Sequence, residues 1–205
     1  MKKTIVSFVL SLMFPLALFA DGYTSLWKQF DEADSKDLPK TQIKILNKII
    51  AQAKADKSYG NLLKAEFDKV VLASDISDEM FQSELSALKK AAGEASAIDP
   101  ALAAVYNCAL GRGYALSAKS SRKSNIKKLS REYFDKALAD PEMLASKKAL
   151  DYAPFVCEGV DSEIFGNDLL SLVGYYSERY ALLNDYYNKA GNRRASLVTA
   201  LWMLE

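Results

Sequence analysis

From Ser25 onward, apolar side chains recur three and four positions apart in segments of about 10 to 19 residues, a spacing that fits helices with one buried face. Composition agrees with that spacing. Nine glycines and five prolines stand beside 28 alanines and 27 leucines, so the residues that interrupt helices are scarce and the best helix formers abundant. Hydrophobic residues make up 50% and charged residues 26%, enough to bury a core and too apolar for a disordered tail.

The first segment runs from about Ser25 to Lys36, with Leu26, Trp27, Phe30 and Ala33 on one stripe. Pro39 opens a second that reaches about Lys57 and turns Ile43, Leu46, Ile49, Ile50 and Ala53 inward. A third spans about Asn61 to Ala73, and Ser77 caps a fourth carrying Phe81, Leu85, Leu88 and Ala92 as far as about Ala97. Asp99-Pro100 and Asp140-Pro141 each supply a cap and a first-turn proline, opening the fifth and seventh helices. The fifth turns Leu102, Val105, Tyr106, Ala109 and Leu110 inward, and Gly111 and Gly113 are expected to weaken its end. Ser117 to Lys128 reads as a connector rich in Ser, Lys and Arg, after which Tyr133, Phe134, Ala137 and Leu138 mark a sixth helix. Pro154, Gly159 and Gly166 make Asp151 to Asn167 an irregular, partly buried loop. Three helices follow, at about Asp168 to Tyr176, Glu178 to Ala190 with Gly191 as its stop, and Arg193 to the last residue. Short paired helices predict an all-α fold, a tetratricopeptide-like α-solenoid of antiparallel hairpins rather than a four-helix bundle. The signature of roughly 34 residues does not recur at fixed offsets.

Residues 1–20 have the form of a secretion signal. Lys2 and Lys3 precede an uncharged apolar run that ends at Ala20 before polar Asp21-Gly22, and no cysteine follows to accept a lipid. The expectation is an exported protein of the periplasm or cell envelope, without lipid anchor or membrane span after cleavage, whose residues 21–205 form one helical-repeat domain. Leu197, Val198, Leu201 and Leu204 carry an apolar stripe to the last residue, which predicts that the domain continues in a longer chain.

Histidine is absent, and with it every Ser/His/Asp or Cys/His nucleophile arrangement and every His-ligated metal site. The formal charge of +1 becomes −1 once Lys2 and Lys3 leave with the signal, so no global field favours a nucleic acid. Cys108 and Cys157 are either bridged in an oxidising compartment or two buried free thiols. Lys119, Arg122, Lys123, Lys127, Lys128 and Arg131 form a basic stretch that reads as a solvated loop or, alternatively, a phosphate site. Tyr175, Tyr176, Tyr180, Tyr186 and Tyr187 read as packing between helices or as a face for a partner or glycan. Asp161 and Glu163 stand two apart in a loop without any sign of divided acid and base roles. No phosphate cradle, Cys-x-x-Cys pair or calcium loop appears, so no catalytic, cofactor or metal residue is assigned and the chain is expected not to be an enzyme.

Two stretches carry a resemblance. Leu26-Trp27-Lys28-Gln29-Phe30 through Lys36-Asp37-Leu38-Pro39-Lys40-Thr41 to Ala53-Lys54-Ala55 is similar to the start of the mature region of large exported bacterial alpha-2-macroglobulin-like proteins. Asp151-Tyr152-Ala153-Pro154-Phe155-Val156, Asp161-Ser162, Phe165, Asn167-Asp168-Leu169-Leu170, Tyr186-Tyr187 and Gly191-Asn192-Arg193 resemble strings in their helical N-terminal region. The family's thioester motif, Cys-x-Glu-Gln, is not met by Cys157-Glu158-Gly159-Val160. The resemblance implies a non-enzymatic helical scaffold or docking segment of an envelope protease inhibitor, with β-sandwich domains of a longer chain or an envelope protein as partner. The alternative is a stand-alone exported protein that binds a peptide or glycan.

Overall fold

A computed structural model describes residues 17–120, 124–157, 159 and 161–204. The expected export segment therefore lies outside the described residues up to residue 16. Among the described residues the chain is all-α, with ten α-helices: α1 Ala17–Asp34, α2 Pro39–Asp56, α3 Tyr59–Ile76, α4 Asp78–Ala95, α5 Pro100–Ser120, α6 Ser124–Ala137, α7 Pro141–Ala145, α8 Leu169–Tyr176, α9 Tyr180–Lys189 and α10 Arg193–Trp202. Each of α1 to α5 packs on the helix that follows it, as do α7 to α9, and α3 also packs on α5. This is a stack of helical hairpins of tetratricopeptide-like kind.

The side chains expected to start helices do so: Ser77, Asp140 and Asp168 accept from the backbone N–H groups of Met80, Met143 and Ser171. Asn192, not marked as a cap in the sequence, does the same for Ala195. Asp37, Lys57 and Glu178, with φ of 51°, 54° and 56°, turn the chain between neighbouring helices, and Gly191 at φ 75° stops α9.

Two apolar clusters hold the stack, and α3 belongs to both. Leu62 and Ala65 face Tyr23, Ala33, Ile45, Leu46, Ile49 and Ala53 of α1 and α2, whereas Leu63, Val70 and Ala73 face the larger cluster centred on α5. That arrangement sinks α5 so deeply that Ala101 to Tyr106 are buried without interruption. On α2 the inward arc holds Ile45 rather than Ile43, and Ile50 is only half-buried.

Gly111 and Gly113 do not end α5. A Cβ on Gly111 would clash with the edge of the Phe134 ring of α6, and one on Gly113 would lie 2.7 Å from Leu85 Cδ2 of α4, so the glycines let three helices approach closely. Correspondingly, much of the expected 117–128 connector is helical, as the end of α5 and the start of α6. The 151–167 segment is irregular as expected, with short 3-10 turns at Ala149–Tyr152 and Ser162–Phe165. On α10 the apolar stripe divides: Val198 and Trp202 pack inward while Leu197, Leu201 and Leu204 are exposed.

Candidate functional site

The segment after Tyr152 folds back onto α3 because Gly60 has no side chain to hold it off; a Cβ there would overlap the backbone of Tyr152 and Ala153. This places Phe155 edge-on to Phe67, with ring centroids 5.9 Å apart. Phe155 and Phe67 thereby become two walls of a groove. The other walls are Val105, Cys108 and Ala109 of α5 and Leu169, Leu172 and Val173 of α8, around a space of about 230 Å³. Most of the lining is apolar, and the charged residues that border it are Lys64, Asp68 and Arg112.

Lys64 Nζ binds Asp68 Oδ2 at 2.6 Å and lies 4.1 Å from the centre of the Trp27 ring. Burial raises the Asp68 carboxyl above the ordinary aspartate range, against the opposing pull of Lys64. Arg112, also on the lining, lies over the Tyr176 ring at 5.4 Å. Cys108 sits in the floor, 3.9 Å from Ser177 Oγ and 4.0 Å from the Val173 carbonyl. Burial pushes its thiol up to about 11, which leaves it neutral and a poor nucleophile at neutral pH.

Two further clefts adjoin this groove, and Tyr176 borders all three. One, of about 320 Å³, lies among Cys157, Asp161, Phe165, Leu172, Tyr175 and Trp202. The other, of about 470 Å³, is edged by Arg112, Lys127, Arg131 and Arg179. Arg179 is engaged by Asp135 Oδ1 at 2.7 Å.

The residues singled out in the sequence thus part company. The two cysteines are free, Cys108 buried and Cys157 exposed, so neither the bridge nor a buried pair is present. In the tyrosine run, Tyr187 is buried and donates to both Asp168 oxygens, Tyr180 and Tyr186 are half-buried, and Tyr175 and Tyr176 are exposed. Of the basic stretch, Lys127 and Arg131 reach a cleft, Lys128 pairs with Glu132 at 3.8 Å, and the side chains of Lys119, Arg122 and Lys123 lie outside the description. Asp161 and Glu163 are exposed. Arg112 and Lys64 went unmarked in the sequence, and Phe67 and Phe155 stood out only as apolar positions of a helix and of a partly buried loop. The nearest signal was Gly111-Arg112-Gly113, where the glycines face neighbouring helices and the arginine between them faces solvent.

Among the described residues no group of three acidic or cysteine side chains converges to hold a metal, and no helix is long and apolar enough to cross a membrane. The fold is an all-α stack of helical hairpins, with the groove lined by α3, α5 and α8. No family model, curated protein or solved structure matches the chain.

Proposed function

We propose that this chain is an exported, non-enzymatic docking module that takes an extended segment of a protein partner into the groove between α3, α5 and α8. One observation carries the reading: an open, mainly apolar groove is lined by three helices and the 154–156 segment, with three charged side chains among its lining residues. A protein segment suits it better than a glycan. The indole of Trp202 stacks on Phe165 at 5.3 Å and meets Tyr175 edge-on at 5.1 Å, so the largest ring nearby is occupied rather than offered as a sugar platform. Of the groove's own polar groups, Asp68 is engaged by Lys64 and the Cys108 thiol is kept neutral by burial, which supports binding over chemistry.

Export rests on Lys2-Lys3 and the apolar run before Ala20. In the alpha-2-macroglobulin-like reading the occupant comes from the β-sandwich domains of a longer chain, and in the stand-alone reading from a separate envelope protein. Selection of short random peptides displayed on phage against the immobilised protein tests the docking role. Enrichment is expected, together with its loss in Leu172→Glu, a half-buried groove position, at unchanged helical circular dichroism. Absence of enrichment, or equal enrichment on Leu172→Glu, would overturn the proposal.

A further inference from the structure

The geometry points to a partner segment that is acidic: an apolar anchor seated between α3, α5 and α8, next to carboxylate side chains that reach Arg112, Lys127 and Arg131. This deepens the docking reading and rests on it. The groove shares Arg112 and Tyr176 with the larger cleft bordered by α5 and α6, and Arg112, Lys127 and Arg131 all line that cleft. The ion pairs of the described residues engage Lys54, Lys64, Lys69, Lys90, Lys128, Lys147, Arg179 and Lys189, and none of them engages Arg112, Lys127 or Arg131. The acidic residue bordering the cleft is Glu178, beside Arg179, whose own charge is answered by Asp135. The cleft therefore keeps an excess of positive charge facing solvent.

Arg112 borders both spaces, and its guanidinium lies over the Tyr176 ring. The ring limits the positions that side chain can take, which lowers the entropy lost when it grips a carboxylate. Lys64 and Asp68, which also border the groove, neutralise one another, so the charge left unanswered on its lining is that of Arg112. A segment with its anchor beside Phe67 and Leu172 and its acids at Arg112, Lys127 and Arg131 matches that distribution of charge.

Two displayed libraries of short peptides test this on the intact protein, one admitting Asp and Glu and the other carrying Asn and Gln in their place. Binders are expected from the acidic library alone, with apolar residues flanking the acids. Their affinity should fall about tenfold or more in the double variant Arg112→Glu, Arg131→Glu and should weaken with added salt. Binders arising equally from both libraries, or acidic binders indifferent to the double variant, would overturn the acidic partner and leave the groove as a docking site. No binders from either library would overturn both readings. Capture of an anionic glycan in place of peptides would overturn the protein segment as occupant.

Discussion

At the scale of single residues, the fold holds carboxylates in places where their charge is costly. Glu66 takes hydrogen bonds from Tyr106 at 2.8 Å and an ion pair from Lys54 at 3.3 Å, yet burial outweighs both and raises its pKa. Asp168 behaves alike, with desolvation prevailing over its bonds to Ser171 and Tyr187. A raised folded pKa means that the native state binds more protons than the unfolded chain between the two values. The stabilisation is therefore complete below the ordinary carboxylate pKa and is lost as pH rises through the raised one. Glu66→Gln should remove its share of that dependence. Thermal melts at about pH 5 and about pH 7 are expected to differ less for this variant than for the parent. Identical differences would show that Glu66 ionises in the fold as it does in the unfolded chain. On the sequence Glu66 is one charged residue of a helix, and only the convergence of α2, α3 and α5 makes it otherwise.

At the scale of elements, the helices were largely legible because each carries its own punctuation. Ser77, Asp99, Asp140 and Asp168 mark starts, and the Phe81, Leu85, Leu88 and Ala92 stripe of α4 is buried throughout. What local pattern could not decide is which flank of an apolar arc meets a neighbour, hence Ile45 in place of Ile43 on α2. Nor could it show that a glycine serves packing rather than termination. Gly111 and Gly93 make that distinction measurable. Both are helical, but a Cβ at Gly111 meets the Phe134 ring while one at Gly93 meets nothing within 4 Å. Alanine is favoured over glycine in a helix by about 1 kcal/mol, and overpacking costs about 1 to 3 kcal/mol. Denaturant titration should find Gly93→Ala stabilised by up to about 1 kcal/mol and Gly111→Ala destabilised. Stabilisation of both would mean that α5 and α6 can separate freely at that point.

At the scale of the whole molecule, the groove was illegible because its walls come from residues 64–68, 105–112, 154–156 and 169–176, brought together only by stacking. Lys127, Arg131, Tyr175 and Tyr176 stood out in the sequence, but nothing local to them indicates which borders a cleft. The same stacking sets how the molecule opens. In a helical stack each unit is held chiefly by its neighbours, so stability is a sum of local interfaces rather than one indivisible core. Here α1 and α2 reach the rest through the smaller cluster on one side of α3, while α5 gathers α3, α4, α6 and α8 around the larger one. Leu46→Ala, at a fully buried position of α2, removes about 2 to 5 kcal/mol from the smaller cluster. Native-state hydrogen exchange should then accelerate over residues 17–56 with little change in α5 and α8, and the groove should keep its ligand. Leu110→Ala, equally buried but on α5, should accelerate exchange through the larger cluster and spare residues 17–56, because α3, α4, α6 and α8 pack on the helix it loosens. Uniform acceleration by both variants would mean that α3 transmits every perturbation and that the stack unfolds as a single cooperative unit.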